Sequence, residues 1–164
     1  MQTYELFEID DGQSGTQQTL DIMVSLTHNA QLDPITRGTA LRILNASMAK
    51  NTSDYGKAVW RWVRRRVRLV DEPFELIQYP EYLLQELDQG APMVDGDCDD
   101  ATTLAAALLF ALGIPVRFVA VKPAGGPAYL HVFAEMLAGG QWWAVDPTVI
   151  SIPAGSFDRL VQEV

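Results

Sequence analysis

The sequence contains very little cysteine and histidine: one cysteine, Cys98, and two histidines, His28 and His131, among 164 residues. A single cysteine excludes an internal disulfide framework and a cysteine-rich zinc site, and it fits a reducing compartment. Basic residues are also few, since 12 Lys and Arg stand against 21 Asp and Glu, which gives a net charge of −9. Because nucleic-acid-binding proteins need a basic surface, this balance argues against a nucleic-acid partner.

Long hydrophobic runs are absent from the sequence. The most apolar stretch, residues 104–112, is nine residues long, whereas a membrane-spanning helix needs about 20. We interpret this stretch as part of a buried core helix. The first twelve residues carry four acids and no basic residue, so they do not resemble a secretory signal. We therefore expect no membrane partner and a location in the cytoplasm.

The composition is typical of a globular protein. With 48% hydrophobic and 20% charged residues, the chain is too apolar to be disordered. A length of 164 residues corresponds to about one domain. No repeat, low-complexity tract or long linker divides the chain, so the sequence predicts a single domain over residues 1–164.

Hydrophobic periodicity predicts a helical front half at about residues 15–90. The predicted helices span 15–30, 33–49, 54–69 and 80–87. The second of them has a typical start, with aspartate as N-cap and proline at the first helical position. Its predicted buried face consists of Leu41, Leu44 and Met48.

The remaining part, at about residues 91–150, changes from helical to strand periodicity. Residues 88–97 are expected to form a loop, followed by a helix over 98–112 that ends before Gly113. Strands are then predicted at 115–121, 129–137 and 141–145, the last two joined as a hairpin through 138–140. Helices followed by strands predict an α+β fold.

Cys98 lies at the start of the predicted helix, directly after Gly96 and Asp97. The positive end of the helix dipole lowers the pKa of a thiol in this position, and the amides of the first turn can form an oxyanion hole. We expect Gly96 to let the chain turn and to leave room above the sulfur. These features are typical of a cysteine nucleophile, although a lone cysteine can also be a small buried hydrophobic residue.

His131 and Asp146 lie on the two strands of the predicted hairpin. If residues 139–140 form a two-residue turn, these two side chains are diagonal neighbours on one face of the sheet, about 7–8 Å apart at Cα. The apolar residues alternate onto the opposite face, which leaves the His/Asp face for a cleft. An aspartate in this position fixes the imidazole tautomer and stabilises the imidazolium. Cys98, His131 and Asp146 are therefore the predicted catalytic triad.

Four short motifs occur in order between about residues 92 and 148. They are Gly96-Asp97-Cys98-Asp99-Asp100, Gly113-Ile114-Pro115-x-Arg117, His131-Val132-Phe133-x-Glu135 and Trp143-Ala144-Val145-Asp146-Pro147-Thr148. Together they resemble the transglutaminase-like, papain-related superfamily, and in particular its small bacterial and prophage members. The resemblance implies an α+β papain-like core in which the nucleophile helix packs on a small antiparallel sheet. It also implies Cys98 as nucleophile, His131 as base and acid, and Asp146 as the residue that orients the imidazole.

The sequence around the nucleophile departs from that of the animal transglutaminases, which carry Gln-Cys-Trp where this chain has Asp-Cys-Asp. Protein cross-linking is therefore not the expected activity. We predict a thiol-dependent amide or peptide hydrolase that acts through a thioester on a protein or peptide substrate and requires no cofactor. The alternatives are a non-catalytic structural or phage-particle module of the same fold, a transamidase, and a calcium-dependent protease.

Four acids, Asp95, Asp97, Asp99 and Asp100, surround the predicted nucleophile. Acids in a first helical turn are favoured by the helix dipole. Since residues i+1 and i+2 of a helix do not face residue i, we expect Asp99 and Asp100 to point away from the sulfur. Helix capping is the simplest interpretation of the four acids. A Ca²⁺ site is an alternative, because several oxygens from a short loop suit this ion, and an acidic rim that selects basic substrates is another.

Three further features carry weaker predictions. Arg61, Arg64, Arg65 and Arg68 recur at helical spacing, which indicates a solvated or internally paired face, or a docking surface for an acidic partner. His28 lies outside the motifs and is assigned to the surface or to a cap. Gln78 and Tyr79 are the candidates for a second oxyanion donor.

Overall fold

Five helices and six strands make up the part of the chain that the computed structural model describes, which is residues 9–71, 76–148 and 157–164. The elements are α1 (Gly12–Ala30), α2 (Pro34–Ser47), α3 (Thr52–Arg66), β1 (Val67–Leu69), α4 (Pro80–Asp88), β2 (Val94–Gly96), α5 (Cys98–Phe110), β3 (Val116–Pro123), β4 (His131–Ala138), β5 (Gln141–Val145) and β6 (Phe157–Glu163). Residues 1–8, with two of the four acids at the N-terminus, lie outside the described residues.

A four-stranded antiparallel sheet forms the second half of the fold, in the order β5-β4-β3-β6. The hairpin between β4 and β5 pairs Ala138 with Gln141, which is the register that a two-residue turn requires. Gly139 and Gly140 both have positive φ, at 60° and 76°, as the favoured hairpin turns demand. The predicted hairpin and its register are therefore confirmed.

Helix α5 lies in the centre of the molecule, against the sheet. Its buried residues include Leu104, Leu108 and Leu109, none of which is exposed. The facing side of β3 contributes Val116, Phe118 and Ala120 to the same core, as the alternation predicts. The helix–sheet arrangement confirms the α+β prediction. None of the described helices combines the length and the apolarity needed to cross a membrane.

The opposite side of the sheet is also buried, which corrects the expectation of an open His/Asp face. Val119, Val121 and Phe133 form a second apolar cluster there, and Phe157 of β6 packs against it. Strand β6 was not predicted from the sequence. It pairs with β3 and covers that edge of the sheet.

Two helices differ from their predicted form. In α2 the buried residues are Thr36, Thr39, Ala40 and Ile43, whereas Leu41 and Met48 are 39% and 85% exposed. Leu44, the third predicted residue, is partly buried and packs against the core. The prediction of the α2 face was therefore right for Leu44 and wrong for Leu41 and Met48, because Ile43 and small or polar residues form most of the buried face. Helix α3 ends at Arg66, and the chain continues as β1 instead of completing the predicted helical turn.

The segment before Cys98 is more ordered than the predicted loop. Residues Val94–Gly96 form β2, which pairs in parallel with β1. Beyond the paired residues, the backbone N–H of Val70 donates to the carbonyl of Gly96 at 3.0 Å. The chain is thus held by a strand ladder immediately before the nucleophile helix begins.

The arginine-rich face of α3 and β1 is partly paired with Asp95 of β2. Arg68 makes two hydrogen bonds to the carboxylate of Asp95, at 2.6 and 2.9 Å. Arg64 lies over the ring of Trp60 and Arg66 over that of Trp62. This arrangement supports the solvated and internally paired interpretation of the face.

Candidate active site

The N-terminus of α5 is fixed by a capping box. The side chain of Asp97 accepts hydrogen bonds from the backbone N–H groups of Asp99 and Asp100, at 2.9 and 3.2 Å. In return, the carboxylate of Asp100 accepts from the backbone N–H of Asp97 at 3.2 Å. Reciprocal bonds of this kind satisfy amides that a helix leaves unpaired at its start. They fix Cys98 as the first residue of the helix.

Asp100 points into the protein, where it binds the segment that precedes α4. Its carboxylate accepts from the backbone N–H of Gln78 at 2.6 Å and from the Gln78 side chain at 3.0 Å. A Cβ on Gly96 would lie 2.9 Å from Asp100, so glycine is needed there for Asp100 rather than for room above the sulfur. The Gln78 amide also donates to the carbonyl of Asp95. The Gln78 side-chain amide thus binds β2 and α5 and is not placed as an oxyanion donor.

Burial raises the pKa of Asp100 to about 6 despite its hydrogen bonds, and this predicts a pH-dependent stability. Because the folded-state pKa lies above the unfolded value of 3.8, the protonated carboxyl of Asp100 stabilises the fold. This stabilisation is complete below pH 3.8 and is lost as the pH rises through 6. The loss between pH 4.5 and 7 is roughly 2 kcal/mol. We expect Asp100→Asn to remove this decline, measured by urea unfolding across that range.

A matched control for this measurement is Asp21→Asn, because Asp21 is exposed on α1. The control should keep the wild-type slope of unfolding free energy against pH. If Asp100→Asn keeps that slope as well, burial of Asp100 is not the source of the pH dependence. Comparing slopes rather than absolute stabilities separates this effect from the loss of hydrogen bonds in the variant.

The thiol of Cys98 lies beside a carboxylate. Its Sγ donates to Oδ1 of Asp99 over 3.4 Å. Burial raises the pKa of the Cys98 thiol, the charges of Asp99 and Asp97 raise it further, and a hydrogen bond from the backbone of Val132 opposes them. These effects act against the lowering that the helix dipole was expected to give. The expectation that Asp99 faces away from the sulfur is wrong, whereas Asp100 does face away.

His131 and Asp146 form the second part of the site. His131 begins β4, and Asp146 directly follows β5. The imidazole Nε2 and Oδ2 of Asp146 are 2.6 Å apart, so the hairpin brings these side chains together as predicted. Burial tends to raise the pKa of Asp146, but hydrogen bonds from His131 and Thr148 outweigh it and hold the pKa below its usual range.

Two further residues position Asp146. Thr148 donates to Oδ1 of Asp146 from its backbone N–H at 3.1 Å and from its hydroxyl at 2.6 Å. The indole of Trp60 donates to the Asp146 carbonyl at 2.6 Å. Thr148 belongs to the Asp-Pro-Thr motif, so the sequence predicted that it lies near the site. The motif did not predict its hydrogen bonds to Asp146. Trp60 lies on α3, and nothing in the sequence pattern connected it with Asp146.

Cys98 and His131 line the same cavity, which has a volume of about 380 Å³. His131 is only 8% exposed, and within the described ranges its Nδ1 has no hydrogen-bond partner. The hydroxyl of Thr102 donates to the carbonyl of Val132 at 3.3 Å, which ties α5 to β4 beside the site. The structure thus brings Cys98 and His131 to one cavity, and Asp146 is bonded to His131. The thiol is bonded to Asp99 rather than to the imidazole.

The four acids do not converge as a calcium site would require. Asp95 pairs with Arg68, and Asp100 points inward. Over the residues that the structure describes, only Asp97, Cys98 and Asp99 could present ligand atoms to one ion, within 4.8 Å of one another. Ca²⁺ takes six to eight oxygen ligands. Two carboxylates and a thiol do not fit that preference, so capping accounts for these acids better.

A helix that presents a cysteine at its first turn to an antiparallel sheet with a His–Asp pair is the architecture of the papain-like α+β core. The family model of the transglutaminase-like superfamily matches residues 41–147. The chain therefore belongs to the transglutaminase-like superfamily, as the four motifs indicate. None of the curated proteins has a matching sequence.

Solved structures of low sequence identity share this fold. A protease candidate from Parabacteroides distasonis is 12% identical with a TM-score of 0.58, over 78% of this chain and 26% of that chain. A cysteine protease candidate from Cytophaga hutchinsonii is 16% identical with a TM-score of 0.53, over 79% of this chain and 50% of that chain. This chain thus spans half or less of the length of these two proteins.

Proposed function

We propose that this protein is a thiol-dependent hydrolase of amide or peptide bonds, with Cys98 as nucleophile, His131 as base and acid, and Asp146 as the positioning residue. One observation carries the proposal: Nε2 of His131 is bonded to Asp146, while Nδ1 is buried, unpartnered among the described residues, and next to the cavity that Cys98 lines. A neutral imidazole that donates from Nε2 has its lone pair on Nδ1. That lone pair is the base that a cysteine nucleophile needs.

The reaction follows from these positions. Nδ1 takes the thiol proton as Sγ bonds to the amide carbonyl carbon, and the imidazolium then gives this proton to the leaving amine as the C–N bond breaks. Water next attacks the thioester and passes a proton to Nδ1, and that proton returns to Sγ as the C–S bond breaks. The first-turn amides of α5 are the donors available to the oxyanion. No redox partner or cofactor is needed.

The hydrogen bond from the thiol to Asp99 determines how the first step begins. Burial and the neighbouring carboxylates raise the pKa of Cys98, which favours a neutral thiol over a preformed thiolate–imidazolium pair in the resting protein. The sulfur must leave Asp99 and turn towards Nδ1 before it attacks. In this mechanism, deprotonation by His131 accompanies substrate binding.

The two structural relatives are a protease candidate and a cysteine protease candidate, which agrees with this reaction class. The family also supports a thiol enzyme. Since this chain spans only part of those proteins, its substrate has to be found by direct measurement.

The decisive experiment measures turnover of a mixed fluorogenic peptide pool by wild type, Cys98→Ala, His131→Ala and His28→Ala. His28 is the matched control, because it is the other histidine of the sequence. It lies near the end of α1, away from the site, and packs edge-on against Phe110 at the end of α5. We expect the first two variants to lose activity by at least about 10³-fold and the control to keep it. Turnover that survives Cys98→Ala contradicts the proposal.

A second candidate function is a non-catalytic module of the same fold. The observation that favours it is the Cys98–Asp99 hydrogen bond, which leaves the thiol and the imidazole unconnected in the resting structure. The same experiment separates the two. A wild-type protein that folds normally, cleaves no peptide and gives no Cys98 acyl adduct with a reactive thioester supports the module. A product that forms only with an added amine indicates a transamidase.

A further inference from the structure

Among the residues that the structure describes, the lining of the cavity beside Cys98 includes four carboxylates and no lysine or arginine. Asp97 and Asp99 come from the start of α5, and Asp10 and Asp11 come from the chain that leads into α1. The same cavity is lined by His131, which is more than nine-tenths buried and whose Nδ1 has no partner among the described residues. This buried polar atom is an independent sign that a ligand approaches from the cavity.

The charges on the α1 side of the cavity are not neutralised by their hydrogen bonds. The Asp10 carboxylate accepts from the hydroxyl of Ser14 and from the amide of Gln18, each at 3.0 Å. Both donors are neutral. Asp11 is exposed at the N-cap of α1 and makes no side-chain capping bond. The carboxylates therefore keep a negative field directed at the space in front of the thiol.

We propose that this cavity recognises a lysine or arginine side chain, so that the enzyme hydrolyses peptides with a cationic residue next to the scissile bond. This inference rests on the proposed function and names its substrate class. A cleft lined by charges of one sign concentrates ligands of the opposite sign. The net charge of −9 over the whole chain adds attraction at long range.

A cationic substrate would also offset the effect of the neighbouring carboxylates on the Cys98 thiol. The charges of Asp99 and Asp97 contribute to the raised pKa of Cys98. An ammonium or guanidinium group placed among these carboxylates offsets their field, which lowers the cost of forming the thiolate. Cationic peptides should therefore gain in the chemical step as well as in binding. A neutral peptide of the same shape would bind without this gain.

The first test measures the electrostatic field at Cys98 without requiring catalysis. Two methanethiosulfonate reagents of similar size, one with a trimethylammonium group and one with a sulfonate, react with the only cysteine in the chain. We expect the cationic reagent to react at least 10-fold faster at low salt, with the ratio falling towards one at high salt. Asp10→Asn and Asp11→Asn should each lower the ratio, whereas the exposed control Asp21→Asn should not. Equal rates for the two reagents overturn the inference.

The second test compares peptides that differ at one position, with lysine, norleucine or glutamate next to the cleaved bond. The lysine peptide should have a kcat/KM at least 10-fold above that of the norleucine peptide, with a difference in kcat as well as in KM. Turnover without this preference overturns the inference and leaves the proposed function intact.

If no peptide is cleaved, the proposed function fails, and binding to Cys98→Ala decides the inference separately. Fluorescence anisotropy of the same three peptides would then show tighter binding of the lysine peptide if the cavity is a cation site. Equal binding of all three overturns it. Each combination of results thus supports or contradicts one of the two proposals.

Discussion

Asp146→Asn is expected to lower kcat/KM by about 10⁴-fold without unfolding the protein. The reason is the position of Thr148. Its backbone N–H and hydroxyl both donate to Oδ1 of Asp146, so an asparagine would place its carbonyl oxygen there. Its NH₂ group would then face Nε2 of His131 and force the imidazole proton onto Nδ1. An imidazole in that tautomer cannot accept the thiol proton.

The control variants for this prediction are Asp146→Ala and Thr148→Val. Alanine removes the carboxylate but imposes no tautomer, so it should retain more activity than asparagine does. Valine at 148 removes only the hydroxyl, because the backbone N–H remains, and should cost about 10-fold. Steady-state kinetics on one cleaved peptide gives all three values. If asparagine is more active than alanine, the tautomer argument is wrong.

Phe118→Ala is expected to destabilise the fold by about 3–5 kcal/mol, the largest stability effect of a single core truncation that we predict. Phe118 lies at the middle of β3, between Ala134 of β4 and Gln162 of β6, and is 0% exposed. Truncation would leave a cavity in the core between the sheet and α5. The midpoint of urea unfolding should fall with no change in slope, and Tm should fall by roughly 10 °C.

Phe110→Ala is the matched control, because Phe110 is half-buried at the end of α5 and packs edge-on against His28. It should cost clearly less than Phe118→Ala. Comparable losses for the two substitutions would contradict the assignment of Phe118 to the centre of the core.

The catalytic half of the fold could be predicted because its signals are local. Strong alternation marked β3 and β4, and the glycine pair at 139–140 fixed the register that brings His131 to Asp146. The apolar run after Cys98 marked α5, and the four motifs placed the nucleophile at its start. Each of these signals lies within a few residues of the feature that it predicts.

The helical half was harder to predict, because its packing depends on small and polar residues. In α2 the core side carries Thr36, Thr39 and Ala40, which no hydrophobic pattern marks as buried. Strands β1 and β2 are three residues each, too short for a period to show. They form because the two segments meet in space, not because either prefers to be extended.

Contacts between segments that are distant in the chain could not be predicted from the sequence either. The indole of Trp60 reaches Asp146 across 86 residues, and β6 pairs with the β3 edge of the sheet. The contact of Asp99 with the thiol depends on a side-chain rotamer, which helical spacing alone does not specify. The positions of Cys98, His131 and Asp146 in the fold were thus predictable, whereas the hydrogen bond between the thiol and Asp99 was not.

The hydrogen bond between the Cys98 thiol and Asp99 has a consequence for the chemical stability of the cysteine. Peroxides attack thiolates, and oxidation beyond the sulfenic acid is in general irreversible. This chain has no second cysteine that could trap the sulfenic acid as an internal disulfide. If Cys98 is the proposed nucleophile, its hydrogen bond to Asp99 favours the protonated sulfur until a substrate arrives, which would protect the thiol from oxidation at the cost of a slower attack.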